Sequence, residues 1–349
     1  MKTDTAARAA AQEPPIPFII RHLYGLAIAL VAIMVGFGAL AEDTADDDDD
    51  GALAREFRYG TICTATARAA QRACRNEGRE VFWTAIGNCA NVSDPIAASE
   101  CSDDAKADRR AEMALCGDRF DARRDLCFAL GKDAYEPTFD PADFVDPMEI
   151  GVTVAANPYF PLEQGRRWVY AGDGETIVVT VRDETKLIGG VTCLVVNDRV
   201  EEDGAVVEDT EDWYAQDVLG NVWYCGEIAR NYERVEGEAA AELVDVDGSW
   251  KAFRDYARPG IVMQAVPRMS DVYRQEFALR EAEDAAQIVM LDGTATVAAA
   301  SCHGTCLITR EFTPVQPDVE EYKYYAPGIG LILEVDPEGN RVELVEFTR

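Results

Sequence analysis

The chain has 349 residues, 48% of them apolar, which supplies real cores for roughly two domains. Sixty-four acidic residues against 33 basic ones give a formal net charge of −31. Such a charge repels nucleic acid and anionic bilayers, and no basic patch interrupts it; nucleic-acid binding is excluded, and cations or basic partners are favoured.

Lys2, Arg8 and Arg21 precede an uncharged apolar run from Leu23 to Ala41. The run ends Ala39-Leu40-Ala41, a small-residue pattern that fits a signal peptidase, and Glu42-Asp43 follow at once. Residues 1–41 are therefore read as a signal peptide. An uncleaved anchor is the alternative, because about 19 apolar residues span a thin bilayer; membrane contact is expected only in that case. The first cysteine, Cys63, lies too far away to carry a lipid at the boundary, and Arg21-His22 is not a twin arginine. The expected location is periplasmic or extracellular.

Residues 42–51 form an acidic linker. Asp46, Asp48, Asp50 and Gly51 echo the start of a calcium loop, but its twelfth position is Phe57 where a bidentate glutamate is needed.

Residues 52–133 carry Cys63, Cys74, Cys89, Cys101, Cys116 and Cys127, whose intervals of 11, 15, 12, 15 and 11 read the same in both directions. The segment is rich in Ala, Arg, Glu and Leu, which favour helix. Ser93-Asp94-Pro95 supplies a cap and a first-turn proline for a second helix. Two antiparallel helices close the palindrome as Cys63–Cys127, Cys74–Cys116 and Cys89–Cys101. A bond between Cys63 and Cys74 within one helix is excluded, because they sit roughly 16 Å apart at 1.5 Å per residue. Phe82, Ile86, Met113, Phe120 and Phe128 are the expected apolar seam. No close Cys-x2-Cys pair points to a metal. Asn91-Val92-Ser93 has the form of a glycan acceptor, and a polar turn explains it. The expected product is a stiff rod on a flexible connection, suited to a spacer or dock.

Residues 134–156, with Pro137, Pro141 and Pro147 among acidic residues, read as an extended linker. Beyond them, in 157–349, short alternating runs predict strands over 176–181, 191–196, 206–214, 222–227, 261–265, 272–277, 286–291, 294–299, 307–312, 322–325, 331–335 and 342–347. Helix-length stretches are scarce, so parallel crossovers are not available. The fold class is α+β: a stapled helical hairpin, then an antiparallel meander curled into a barrel or half-barrel. Cys193 and Cys225 are expected to bridge neighbouring strands. Cys302-His303-Gly304-Thr305-Cys306 reads as a three-residue hairpin loop clipped by a Cys302–Cys306 bridge; a redox pair tuned by His303 competes with it.

Several words in this region carry a resemblance. They include Asn157-Pro158-Tyr159-Phe160-Pro161-Leu162, Asp212-Trp213-Tyr214-Ala215-Gln216-Asp217, Gly220-Asn221-Val222-Trp223-Tyr224 with Gly226-Glu227, Tyr273-Arg274-Gln275-Glu276, and Lys323-Tyr324-Tyr325-Ala326-Pro327-Gly328. Over about 157–335 the chain resembles a family of uncharacterised exported bacterial proteins. The resemblance implies an exported β fold and no particular reaction. The helical hairpin lies outside it. The closing Tyr-Tyr-Ala-Pro-Gly word also looks like one used by convex-sheet, lipoprotein-carrier-like domains.

The mature chain would hold one histidine, His303, in a loop, so His-based triads lack support and zinc-hydrolase patterns are absent. No cofactor and no metal are expected. Trp213, Tyr214, Trp223, Tyr224, Glu227, Tyr273 and Tyr324 are the candidate ligand-binding residues. Asp212, Asp217, Glu227, Glu276, Glu283 and Asp284 lie among these aromatics; buried aromatics with solvated carboxylates at turns explain them without chemistry. Asp217 to Asn221 reads as a hairpin turn, and Arg274 with Glu276 as a same-face strand pair. Two functions stay open. One is a non-catalytic exported protein binding a hydrophobic small molecule or an envelope protein; the other is a carboxylate-dependent, glycosidase-like hydrolase. No catalytic set can be named.

Overall fold

The computed structural model describes residues 61–172, 174–234 and 240–348. The export segment and the acidic linker lie outside the described residues.

Helix α1 (Ile62–Ala90) opens on a capping box between Thr61 and Thr64. Helix α2 (Pro95–Leu130) opens on Asp94, whose carboxylate accepts the N–H groups of Ile96 and Ala97 at 2.8 and 3.2 Å. The two helices run antiparallel and carry the three nested bridges, with Cα–Cα separations of 5.8, 5.8 and 5.6 Å from base to tip. The seam differs from the expected one. None of Phe82, Ile86, Met113, Phe120 and Phe128 is buried, and Phe128 is 71% exposed. Ala65, Ala67, Ala70, Cys74 and Gly78 are buried along α1, and Ala105 and Cys116 along α2. Bridges hold the backbones close, and the expected seam residue Met113 fits across them only because it meets a glycine: a Cβ on Gly78 would lie 2.6 Å from Met113 Cε. Phe82 moves to the margin, beneath the Arg109 guanidinium.

Sixteen strands follow, all pairing antiparallel in one sheet. The first eight are β1 (Arg167–Gly172), β2 (Glu175–Ile188), β3 (Val191–Glu202), β4 (Ala205–Gln216), β5 (Val222–Ile228), β6 (Asn231–Glu233), β7 (Glu242–Asp245) and β8 (Trp250–Lys251). The rest are β9 (Arg258–Met263), β10 (Val272–Arg274), β11 (Glu276–Phe277), β12 (Ala285–Thr296), β13 (Ser301–Phe312), β14 (Glu320–Ala326), β15 (Gly330–Val335) and β16 (Arg341–Thr348). The main path runs β10-β12-β13-β14-β15-β16-β1-β2-β3-β4-β5-β9-β11. It is a meander in which the last strand zips onto the first.

Strands β10 and β11 are consecutive in sequence, separated by Gln275, yet they stand at opposite ends of that path. One bend at Gln275 thus carries the chain from one sheet edge to the other and nearly closes the barrel. Gly260 permits the approach, because a Cβ there would meet the Gln275 carbonyl group at 2.3 Å. The same bend corrects the expected Arg274–Glu276 pair. Arg274 instead lies over Phe277 and Tyr135, while Glu276 enters the barrel.

Two further expectations change. The runs at 286–291 and 294–299 belong to one strand, β12, whose register shifts at Met290 and Gly293. Cys302 and Cys306 are not a hairpin neck. They lie within β13, where the register passes from His303↔Thr294 to Cys306↔Gly293, so the bridge staples a bulge holding Gly304 and Thr305. Cys193 on β3 and Cys225 on β5 are joined across β4, with the small Ala215 packed beside them.

The 134–156 segment is not a loose tether. Phe139 packs on Phe144, Trp223 and Phe253 over the outer face of the sheet, and Tyr135 donates to the Pro259 carbonyl at 3.1 Å. The hairpin base is fixed as well. Arg123 reaches both carboxylate oxygens of Glu283 from Nε at 3.0 Å, and Nη2 donates to Oε1 at 2.6 Å. Both side chains are more than nine-tenths buried. Arg119 donates to the Val315 carbonyl at 2.8 Å, and Arg280 pairs with Glu77. The rod therefore stands on the barrel by its base and projects its tip.

Removing one partner of a buried ion pair strands the other in a poorly solvated site. Arg123→Ala should cost about 3–5 kcal/mol in urea unfolding, and amide exchange should rise at Ala278–Glu283 before the inner strands. Replacing both residues by apolar ones should recover much of that loss.

Candidate functional site

The barrel interior contains a cavity of about 200 Å³. Its floor comes from the first resemblance word. Asn157 anchors that segment: its amide donates to the carbonyls of Gly220 and Gln264 at 2.8 and 3.2 Å. Its side-chain oxygen accepts the Tyr159 and Phe160 N–H groups, and its own N–H donates to Gln216. So held, Tyr159 to Leu162 cross the barrel end nearest the β4–β5 turn and plug it. Phe160 and Leu162 meet Trp168, Val181, Val196 and Tyr214 there, making an apolar and aromatic floor.

Above the floor the same strands turn polar. Alternation puts every second residue inside, so β4 presents Tyr214, Asp212, Thr210 and Glu208 in ascending order. Other strands do likewise: Asp198 on β3, Glu227 on β5, Glu276 on β11, Glu311 on β13, Lys323 on β14 and Glu334 on β15 all line the cavity. The register brings carboxylates together. Asp212 pairs with Glu227, and Glu311 with Glu321. Like charges directly opposite each other are destabilising.

Among the described residues that line this belt, one is a cation. Lys323 Nζ lies 3.1 Å from Glu311, 3.5 Å from Glu321 and 3.6 Å from Glu334. Burial pushes its ammonium pKa down, but the three carboxylates together outweigh burial and hold it well above the ordinary lysine value. Hydroxyl groups stabilise the acids further. Tyr325 and Thr309 donate to Glu311 at 3.0 and 2.8 Å, Thr210 to Glu208 at 2.7 Å, and Tyr224 to Asp212. The phenols of Tyr170, Tyr214, Tyr224 and Tyr325 are pushed well above the usual tyrosine range, by burial first and then by nearby carboxylates. They remain neutral, and those of Tyr170, Tyr224 and Tyr325 donate hydrogen bonds. Tyr214 stacks on Tyr224 at 4.7 Å, and Phe160 sets its edge against Tyr214 at 5.0 Å.

Of the seven candidate residues, the cavity gathers Tyr214, Tyr224 and Glu227. Trp213 faces outward beneath the Lys186 ammonium, 3.5 Å from its ring. Trp223 is also outside and donates to Asp217 at 3.0 Å. Tyr273 is buried in the barrel core, and Tyr324, between the inward Lys323 and Tyr325, is half-buried; neither lines the cavity. Asp217 closes the 217–221 turn, as read from the sequence, by accepting the N–H groups of Leu219 and Asn221. Asp212, Glu227, Glu276 and Glu283 are buried, not solvated at turns as expected. Asp198, Glu208, Glu311, Lys323 and Glu334 went unrecognised in the sequence. Their signal is an alternate-residue pattern, such as Glu208-x-Thr210-x-Asp212-x-Tyr214, continuous with inward aromatics. Among the described residues, Cys74, Glu112 and Cys116 cluster at metal-ligand distances, but both thiols are consumed in a bridge.

No family model matches the chain, and no curated protein matches it. Among solved structures, a chain described as a "putative lipoprotein from Parabacteroides distasonis" aligns over 56% of this chain and 100% of its own length, at 13% identity. The TM-score is 0.30, too low to carry an argument about fold or function. All ten cysteines are bridged, the usage of an oxidising compartment, and the chain is extracytoplasmic. No helix among the described residues is long and apolar enough to cross a membrane.

Lys323 anchors the belt, so its loss is informative. Lys323→Met should lower stability at pH 7.5 by about 3–5 kcal/mol, since three acids lose their cation. In the wild type the lysine pKa is raised, so its contribution is full below the unfolded value and is lost as pH rises through the folded one. Thermal melts of both proteins from pH 7 to 9 check this: the range lies below the ordinary lysine value of about 10, so the difference between them should stay constant.

Proposed function

We propose that this is a non-catalytic envelope protein, periplasmic in a bacterial host, whose barrel interior holds a small molecule with an apolar body. The observation that carries the reading is the plugged cavity: an apolar and aromatic floor beneath polar walls, inside a rigid antiparallel frame. Binding sites of this kind are concave and mostly apolar, with a few convergent polar groups. The hairpin serves as the dock. Its base is committed to the barrel through Arg123 and Glu283, while Val81, Trp83 and Ile96 are exposed toward the tip, where an envelope protein can seat.

One observation favours a second reading. Asp212 and Glu227 are direct cross-strand partners inside the cavity, and two neighbouring carboxyls are the minimum for acid–base hydrolysis of a glycoside. On that reading Glu227→Gln abolishes turnover of chromogenic glycosides by the purified protein.

The binding reading is tested with the neutral naphthalene dye prodan. Wild-type protein should take it up with a blue-shifted emission. Val196→Phe, which fills the floor at a cost of about 1–3 kcal/mol in packing, should lose at least tenfold in dye affinity while keeping its strand signature by circular dichroism. Equal uptake by both proteins would place the dye on the surface and overturn the reading.

A further inference from the structure

We infer that the acidic run Asp46–Asp50 of this same chain docks on the outer face of the barrel, against Lys186, Lys251 and Arg254.

Charge comes first. No stretch of the sequence is basic, but the fold gathers cations from distant strands onto one face. Lys186 on β2 lies over the Trp213 ring at 3.5 Å. Trp213 pairs with Gly226, and Gly226 with Lys251 on β8, so a residue without a side chain separates the ring from Lys251. Burial first, and then the like charge of Lys251, push the Lys186 ammonium pKa below its ordinary value. Arg254, whose side chain is 76% exposed, follows in a turn closed by its own N–H on the Lys251 carbonyl at 3.1 Å. Neither lysine takes a salt bridge among the described residues. The acids around them are committed elsewhere: Glu211 to Arg230 at 3.2 Å, Glu184 to Arg182 at 3.8 Å and Glu136 to Arg258 at 3.3 Å, while the exposed Asp255 stays beside Arg254. In a chain of net charge −31 such a patch is the face that attracts an anionic segment.

The loop that presents Arg254 is held against its preference. Phe253, Asp255 and Tyr256 have φ of 69°, 49° and 63°, the left-handed region that residues other than glycine rarely enter. Strain of this kind persists where the surroundings enforce it, and it clusters at ligand clamps and switch regions. Phe253 wedges between Gly189 and Phe139, and Tyr256 is left 88% exposed beside Arg254.

Reach decides which anion. Thr61 caps the first helix at the hairpin base, where Cys63 donates to the Lys132 carbonyl at 3.4 Å. From Lys132 four residues, at most about 14 Å of chain, bring Glu136 to Arg258 beside the strained loop. Asp50 lies eleven residues before Thr61, a reach of roughly 36–40 Å when extended. Five consecutive aspartates are therefore tethered within range of the patch, at an effective concentration that a separate acidic partner would have to match. A second copy brings the same run, but also a net charge of −31 that repels the first.

The test compares the full chain, its bridges intact, with a variant carrying Asp→Asn at all of positions 46–50. Carbodiimide joins a carboxylate to an amine in direct contact. It should link the 46–50 peptide to Lys186 or Lys251 in the wild-type monomer at low salt, and the yield should fall at about 1 M salt. Exposed ion pairs are weak, so protection is partial: Lys186 and Lys251 should be acetylated about threefold faster in the variant, with Lys106 on the hairpin unchanged as the reference. Arg254→Glu, which leaves the acidic run intact, should speed both lysines in the same way. Equal acetylation in all three proteins, with no cross-link from residues 46–50 to either lysine, would overturn the inference. Cross-links that join two chains would overturn it in favour of a second copy. A synthetic penta-aspartate peptide that binds wild type and the asparagine variant equally would overturn it in favour of an acidic partner, since a docked run must compete.

Discussion

A belt of carboxylates inside a β-barrel, held around one lysine, is the constraint on which the structure turns. Moving charges out of water costs several kcal/mol each before any attraction repays it. The chain meets that cost with Lys323, with hydroxyl donors from Tyr224, Tyr325, Thr210 and Thr309, and with phenols that burial keeps protonated. A barrel filled with leucine and valine would be cheaper to fold. Retaining the belt makes sense where the interior must stay polar and open, and the plug of Tyr159 to Leu162 then sets the depth of that opening.

Closure depends on the same economy. An open sheet would expose the belt and the edges together, so the bend at Gln275 and the pairing of β16 with β1 are needed to give the interior a lower dielectric than its surroundings. The outer face is sealed separately, by the aromatic packing of Phe139 and Phe144 on Trp223 and by the Cys193–Cys225 bridge. The helical hairpin has almost no core of its own. Small residues and three bridges hold it, and Arg123 ties it to Glu283.

Much of this was legible in the sequence. Equal intervals between cysteines on two helices allow one antiparallel register, so the three hairpin bridges could be read without a structure. Alternation located most of the long strands, and Asp217-x-x-Gly220-Asn221 marked its turn. The seam was misjudged because large apolar residues are the usual helix contact, whereas bridges this close favour Ala, Gly and Cys and let Met113 in only opposite Gly78. Strand β1 lies outside the runs read as strands, because Arg167 to Gly172 is short and follows a plug segment without alternation. The Cys302–Cys306 bulge resembled a loop because a bulge and a tight turn call for the same glycine. The acid belt was hidden by abundance: with 64 acidic residues, alternate-residue carboxylates look like a solvated face until the barrel shows which side is inside.

Native mass spectrometry of the full chain, released gently from the envelope of its host, tests the central claim most directly. The account predicts a population carrying one small organic molecule with an apolar body, absent from Val196→Phe. A protein that arrives without any adduct, or whose adduct survives filling of the floor, would contradict it.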